Sequence, residues 1–203
     1  MIKMHSGMKT EKSNIIKSAE FIFAQRGVKT TSMDDIALHC GISKRTIYQF
    51  FENKEALVLA IVKAQVARNE QYIRMCRGIS PDAVTELNNF FTYIQNALDT
   101  MTPVFFYGIR KYYADACNIL VAFRSGVLLP YIRQNMTRGI EENVYRNNLN
   151  KEVVSKLYLW QLENIIEKAP IPGEEMRLIV GNLNDLFLHA IVNVRGLKLI
   201  LVK

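Results

Sequence analysis

The chain has 203 residues, 49% hydrophobic and 22% charged, which predicts one or two folded domains and excludes a disordered chain. The formal net charge of +7 suits a polyanionic partner such as nucleic acid, an anionic membrane surface, or simply a basic soluble protein. Residues 1–54 carry nine Lys or Arg and five Asp or Glu, so much of the basic surplus lies in the first quarter. Three cysteines, Cys40, Cys76 and Cys117, are far apart without CxxC spacing, which argues against disulfides or a zinc site.

The sequence gives no indication of a membrane or secreted protein. Lys3 is not followed by an apolar run, so a signal peptide is not expected. No stretch of 18 uncharged apolar residues is present, so no transmembrane helix is expected either. Together with the cysteine pattern, this predicts a cytoplasmic protein.

The first quarter of the chain has the residue pattern of four helices. Apolar residues recur at three-and-four spacing, and no Asn-Gly or Asp-Gly hairpin signal appears, so an all-α fold is predicted. The first helix is expected over 10–26, with Gly27 as its stop signal. Short helices are expected over 32–40, capped by Thr31 or Ser32, and over 43–50, capped by Ser43. A long fourth helix begins at about Asn53.

The rest of the chain also has a helical pattern. Further helices are expected over 81–101, from 103 onward, and over 114–142, 151–169 and 174–194. Pro130 lies inside one of them and should kink or divide it. The polar stretch 143–150 predicts a loop, and Pro-Ile-Pro-Gly at 170–173 predicts a turn.

Residues 31–57 carry the most specific pattern. Two short helices meet at a tight turn at Gly41, with Ile36 and Ala37 placed to pack against Ile42 and Ile47. This is the core of a helix-turn-helix unit. The second helix directs long polar side chains outward, of the kind that reach base edges and phosphates in a DNA major groove.

The segment strongly resembles the TetR family of bacterial transcriptional regulators. Spacing and residue type agree over about 40 positions, including Ala19, Phe23, Gly27, Thr30, Thr31, Ile36, Ala37, Gly41, Ser43, Thr46, Ile47, Tyr48, Phe50, Phe51, Lys54, Glu55 and Leu57. The resemblance implies a helix-turn-helix DNA-binding domain of three helices over 1–54. It also implies a larger helical domain over 55–203 that binds a ligand and forms the dimer.

The resemblance also implies which residues bind DNA. The positions of Lys44, Arg45 and Gln49 face bases in the family, and Arg45 stands where a small residue is common. The positions of Thr31, Thr46, Tyr48 and Lys54 contact phosphates, which set register rather than sequence choice. Ser43, the cap of the recognition helix, completes the predicted DNA-binding set.

Aromatic residues are frequent between 80 and 145, and the resemblance implies a pocket there for an unknown small-molecule effector. The candidate lining residues are Phe90, Tyr93, Phe105, Phe106, Tyr113 and Phe123. Packing in an ordinary core explains any single one of them as well or better. No cofactor, metal or catalytic residue is expected.

The last two predicted helices are apolar on more than one side, which predicts a second partner. The resemblance implies a four-helix bundle between two subunits, with burial inside one chain as the alternative. The candidate dimer residues are Val154, Leu157, Trp160, Ile179, Leu183, Leu186, Phe187 and Ala190. A twofold homodimer would present two recognition helices about 34–36 Å apart to a near-palindromic operator in double-stranded DNA.

The sequence disfavours two other classes of protein, enzymes and membrane-surface proteins. An enzyme is disfavoured because the three histidines are isolated and no HExxH, GxSxG, P-loop or dinucleotide motif is present. A membrane-surface protein would need a strongly basic amphipathic helix, and the first predicted helix carries Glu11 and Glu20 among its lysines. The predicted function is therefore a sequence-specific DNA-binding regulator. The resemblance implies that the regulator is a repressor, and we expect a ligand to release it from DNA.

Overall fold

The computed structural model describes residues 2–98, 102–168 and 173–201, and nearly all of them are helical. The helices are α1 (Ile2–Arg26), α2 (Met33–His39), α3 (Lys44–Phe50), α4 (Lys54–Ile79), α5 (Ala83–Ala97), α6 (Pro103–Tyr112), α7 (Ala114–Phe123), α8 (Leu129–Glu141), α9 (Lys151–Lys168), α10 (Gly173–Ile191) and α11 (Val194–Leu201). Among the described residues, extended pairing is limited to an isolated bridge between Tyr145 and Val192. The predicted all-α fold is confirmed.

The chain forms two compact units. The first comprises Met1–Val66 and Thr100–Leu120, and the second comprises Ala67–Asp99 and Val121–Lys203. Helix α4 continues without interruption from the first unit into the second. The first compact unit includes the start of α4 and all of α6 along with the N-terminal helices. The expected boundary between a DNA-binding domain and a ligand-binding domain, at residues 54 and 55, stays a prediction.

The core of the first unit joins α1, α2, α3, the start of α4, and α6. Phe23, Ile36, Ile47, Leu57 and Phe105 are all nearly inaccessible to solvent and belong to one apolar cluster. Their burial fixes α3 against the helices behind it, because apolar area removed from water contributes about 25 cal/mol per Å².

The second unit is built around α5, which packs against α8, α10 and α11. Glu86 of α5 is buried, and its carboxylate pairs with the guanidinium of Arg138 at 2.7 Å. Arg138 also bonds Glu142 at 2.6 Å and the carbonyl oxygen of Ser80 at 3.0 Å. These partners satisfy a charge that would otherwise be costly to bury.

The chain is helical throughout the range Ala114–Glu141, and the winding of the helix changes just before Pro130. A π-helical turn, Arg124–Leu128, precedes it, and the N–H of Leu129 bonds the carbonyl oxygen of Arg124. Proline has no N–H to donate, and the wider turn absorbs the mismatch in the ladder of hydrogen bonds. By length and composition alone, the stretch Ala114–Glu141 could cross a membrane, with a mean hydropathy of 1.2. Core helices of soluble proteins can have the same length and composition.

Two helix boundaries differ from expectation. Helix α1 begins at Ile2 rather than near Thr10. The helix expected over 174–194 ends at Ile191, and α11 follows after a break. Asn193 causes that break, because its Oδ1 accepts hydrogen bonds from the N–H groups of Arg195 and Gly196 and so begins a new helix. Part of the turn predicted at 170–173 lies outside the described residues.

Candidate nucleic-acid interface

Helices α2 and α3 are each begun by a serine side chain. The hydroxyl of Ser32 accepts a hydrogen bond from the N–H of Asp35, whose carboxylate accepts one from the N–H of Ser32 at 2.7 Å. The hydroxyl of Ser43 accepts a bond from the N–H of Thr46 at 3.1 Å. These contacts satisfy N–H groups that have no partner inside the helix.

The turn between α2 and α3 depends on Gly41. Its φ is +66°, in the left-handed region that glycine adopts without strain. The N–H of Ile42 then bonds the carbonyl oxygen of Ala37 at 3.0 Å. The buried residues Ile36, Ala37 and Ile47 hold α3 across α2, as the sequence predicted.

The outer face of α3 carries most of the residues predicted to bind DNA. Lys44, Arg45 and Gln49 are exposed, and Tyr48 is 43% exposed. Thr46 is half-buried, and its hydroxyl lies 2.8 Å from the hydroxyl oxygen of the exposed cap Ser43. The residues on this face offer donors for base edges and phosphates along one short helix.

Lys44 has a partner that sequence analysis did not identify. Its Nζ lies 2.9 Å from Oδ2 of Asp34 in the first turn of α2, and both side chains are more than half exposed. The hydrogen bond and the charge of Asp34 raise the pKa of Lys44 above 10.5. The ten-residue separation follows from the crossing of the two helices, so no local sequence signal indicates it.

The structure corrects the prediction for Thr31. This residue is only 1% exposed, and its hydroxyl donates to the carbonyl oxygen of Gly27 at 3.0 Å. The Thr31 side chain therefore stabilises the turn after α1 and is not presented to a phosphate. Lys54 lies beside this turn, where its Nζ donates to the carbonyl oxygens of Thr31 and Lys29 at 2.8 and 3.3 Å.

Further lysines of the first unit lie over aromatic rings. Nζ of Lys12 is 5.4 Å from the centre of the Phe51 ring, just beyond the end of α3. Nζ of Lys29 is 5.0 Å from the centre of the Tyr112 ring. The Lys29 ammonium beside Tyr112 lowers the pKa of that phenol. These cation–π contacts hold positive charge at defined places on the unit.

The residues predicted to line a ligand pocket are divided between the two units. Phe105, Phe106 and Tyr113 belong to the first unit, and Phe105 lies in its core. The other three, Phe90, Tyr93 and Phe123, belong to the second unit. There Phe90 is buried against Tyr131, and the hydroxyl of Tyr93 donates to Asn69 at 2.8 Å.

The second unit also contains an open polar groove of about 680 Å³. Four cationic side chains line it, those of Arg77, Arg133, Arg138 and Lys151, together with the carboxylates of Glu141 and Glu152 and several uncharged groups. The guanidinium of Arg77 donates to Gln134 at 2.6 Å, and the ammonium of Lys151 donates to Thr137 at 2.9 Å.

The residues predicted to form the dimer differ in exposure. Leu157, Trp160 and Leu186 are 48%, 62% and 71% exposed, and Ala190 is also exposed. Val154, Ile179 and Leu183 are half-buried. Phe187 requires correction, because it is 8% exposed and packs against Tyr158 and Phe91 inside the unit.

Neither metal-binding clusters nor disulfides were found in the described parts of the chain. Among those residues, no group of three His, Cys, Asp or Glu could hold a metal ion. The three cysteines are free thiols, and burial raises the pKa of Cys76.

Comparison with known proteins gives matches over the helix-turn-helix segment. Residues 15–61 match the family of bacterial regulatory proteins called tetR. The chain is 44% identical over 55 residues to the uncharacterised HTH-type transcriptional regulator YuxN of Bacillus subtilis, covering 27% of this chain and 19% of that protein. The chain thus spans about a fifth of that relative's length. It is also 22% identical over 190 residues to the Transposon Tn10 TetC protein of Escherichia coli, covering 94% and 83% of the two chains.

Solved structures match almost the whole fold. A TetR-family transcriptional regulator from Agrobacterium tumefaciens has a TM-score of 0.76 at 15% identity, covering 91% of this chain and 99% of that one. The ketosteroid transcriptional regulator KstR2 of Mycobacterium tuberculosis has a TM-score of 0.64 at 17% identity, covering 90% and 95%. The family match at residues 15–61 and the likeness in fold both support the TetR family of bacterial regulatory proteins.

Proposed function

We propose that this protein is a sequence-specific DNA-binding transcriptional regulator that acts as a homodimer and is released from its operator by a small ligand. The observation that carries the proposal is the exposed face of α3, where Lys44, Arg45, Tyr48 and Gln49 project from a helix fixed by a buried core. Arg45 can pair bidentately with guanine, and Gln49 with adenine. The proposed role is regulatory rather than enzymatic, and its place of action is the cytoplasm.

The residues that contact phosphate are proposed from their position beside α3. Ser43, Thr46 and Tyr48 lie on α3 or cap it, and Lys54 starts α4. Thr31 is proposed to act indirectly, by fixing the turn that precedes α2. Contacts of this kind supply affinity that falls as salt rises, because each neutralised phosphate releases counterions.

The homodimer is proposed from the apolar residues that α9 and α10 leave exposed. Leu157 and Trp160 lie about one turn apart on α9, and Leu178 and Leu186 are exposed on α10. Burying these side chains against a second copy would remove a large apolar area from water. Two recognition helices related by a twofold axis would then read a near-palindromic operator.

The effector is proposed to bind in the second unit and to act through α4. Relatives of similar fold include proteins described as a fatty acid degradation regulator and a ketosteroid regulator, which suggests a small organic effector here too. Helix α4 carries Lys54 at one end and Arg77 of the polar groove at the other. A ligand that binds one arrangement of α4 better than another would change the affinity for DNA.

The test of DNA binding is selection of bound fragments from genomic DNA by the purified full chain. Wild-type protein should enrich a near-palindromic motif, and a Lys44→Ala/Arg45→Ala variant should not. Lys63→Ala/Lys198→Ala, which removes the same charge from exposed positions on other helices, is the matched control. Failure of the wild type to enrich any motif at low and moderate salt would contradict the proposal.

The same operator then serves to test ligand release. Compounds that raise the thermal midpoint of the protein are added to the protein–operator complex. At least one should weaken operator binding, as a ligand-released repressor requires. If none of the compounds that bind alters operator affinity, the release mechanism is wrong.

A further inference from the structure

An ion pair between Asp34 and Lys44 joins α2 to α3 at the surface of the first unit. An exposed ion pair of this kind contributes little to stability. Capping of α2 is already provided by Ser32 and Asp35, so Asp34 is not needed for that task. Its carboxylate is placed 2.9 Å from Nζ of a lysine on the helix proposed to read bases.

We propose that Asp34 is a specificity-determining residue, which acts by holding Lys44 so that the pair reads base edges but does not bind phosphate. The proposal rests on the proposed DNA-binding function. Nothing in the family match or in the residue pattern of α3 indicates this role. It follows from the contact between the two helices.

The chemistry of the pair separates the two kinds of DNA contact. A lysine ammonium has three donors, so Lys44 can keep its bond to Asp34 and still donate to O6 or N7 of a guanine. A phosphate is different because it is an anion. Binding it would bring a second negative charge close to Asp34, which is repulsive, or would require Lys44 to leave the carboxylate.

The consequence is a penalty on binding that does not depend on sequence. Non-specific affinity comes almost entirely from neutralised phosphates. By pairing with Lys44, Asp34 keeps one lysine from neutralising a phosphate. Arg45 remains able to do so, since it takes part in no ion pair among the described residues. The carboxylate therefore lowers affinity for every duplex while leaving base recognition by Lys44 in place, and the ratio of specific to non-specific affinity rises.

The experiment is a double-mutant cycle with the full-length protein. Dissociation constants are measured over a range of salt for the selected operator and for a random-sequence duplex, with wild type, Asp34→Asn, Lys44→Gln and the double variant. For Asp34→Asn, roughly two- to fivefold tighter binding to random duplex is expected. The slope of log affinity against log salt should steepen by about 0.9, the value of one added phosphate contact. The operator-to-random ratio should fall.

Measuring Asp34→Asn in the Lys44→Gln protein shows whether its effect depends on the pairing with Lys44 or only on the loss of a negative charge. With Lys44→Gln present, Asp34→Asn should leave the salt slope unchanged, because no lysine is freed. Glu52→Gln, which removes one exposed carboxylate from the same unit, should preserve the operator-to-random ratio. Asp34→Glu should retain much of the ratio. Circular dichroism of each variant checks that α2 still folds.

Three results overturn the inference. One is an operator-to-random ratio that Asp34→Asn does not change, and another is an equal effect of Asp34→Asn with and without Lys44. Both leave the proposed DNA-binding function intact. The third is a wild-type protein that binds no duplex at any salt, which would defeat the proposed function and this inference together.

Discussion

The ammonium of Lys54 donates a 2.8 Å hydrogen bond to the carbonyl oxygen of Thr31, which ties the first turn of α4 to the turn that precedes α2. A second bond of 3.3 Å reaches the carbonyl oxygen of Lys29. Burial lowers the pKa of Lys54 below 10.5, and the two carbonyl oxygens hold the charged group in place. Lys54 thus connects the turn between α1 and α2 to α4, the helix that continues into the second unit.

Replacing Lys54 by Met should weaken both stability and DNA binding. Methionine keeps the apolar stem but cannot donate, so the two carbonyl oxygens lose their partner. The free energy of unfolding is expected to fall by on the order of 1 kcal/mol, measured by urea denaturation. Lys54→Arg retains donors and should lose less. A Met variant as stable as wild type would show that the hydrogen bonds from Lys54 do not stabilise the α1–α2 turn.

The capping box of α2 predicts a dependence of stability on pH. Hydrogen bonds from the Ser32 hydroxyl and N–H lower the pKa of Asp35 below 3.8 in the folded protein. A carboxyl whose pKa is lower when folded stabilises the fold fully above pH 3.8. That contribution is lost as the pH falls through the folded-state pKa.

The measurement is the free energy of unfolding at several pH values between 6 and 2.5, by urea denaturation. Wild type should lose stability over the acidic part of this range, and Ser32→Ala should show a smaller loss because the hydroxyl bond is absent and only the bond from the backbone N–H remains. Ser32→Thr keeps the hydroxyl and should behave as wild type. Identical pH profiles for Ser32→Ala and wild type would exclude the capping box as the cause.

Gly139 should be among the least replaceable residues of the second unit. A Cβ added to Gly139 would overlap the buried ring of Tyr145, whose hydroxyl donates to the carbonyl oxygen of Ala83 at 2.9 Å. Gly139→Ala is expected to lower the free energy of unfolding by about 1–3 kcal/mol, because the ring and its hydrogen bond must move.

The matched control is Gly78→Ala. Gly78 also lies in a helix, but an added Cβ would meet nothing within 4 Å. Alanine should there be neutral or stabilising by up to about 1 kcal/mol, through helix propensity. Equal effects of the two substitutions on the thermal midpoint would contradict the packing argument.

The sequence predicted best those features that depend on neighbouring residues. The limits of α2 and α3 follow from the serine caps Ser32 and Ser43 and from Gly41, all of which act within a few residues. The pairing of Asp34 with Lys44 depends on the angle between two helices, which no local pattern gives.

The sequence also did not predict which side chains of the candidate sites are buried inside the chain. Thr31 matches a position that contacts phosphate in the family, yet its hydroxyl bonds the carbonyl oxygen of Gly27. Phe187 fits an apolar interface pattern, but it packs against Tyr158 inside the unit. Helical periodicity identifies an apolar face and does not say whether the same chain or a second copy covers it.

Trp160 offers a direct test of the proposed dimer, because it is the single tryptophan of the chain and is 62% exposed in one protomer. If a second copy covers α9, its fluorescence should be that of a buried indole at high concentration and shift to longer wavelength on dilution. Leu157→Glu, one turn away on the same helix, should give a monomer with red-shifted emission at every concentration, since an unpaired charge in an apolar interface is costly. Leu38→Glu places the same charge on an exposed leucine of α2 and should leave mass and emission as in wild type. A monomeric mass for the wild type at the highest concentration, or a dimeric Leu157→Glu variant with unshifted emission, would show that this face is not the interface.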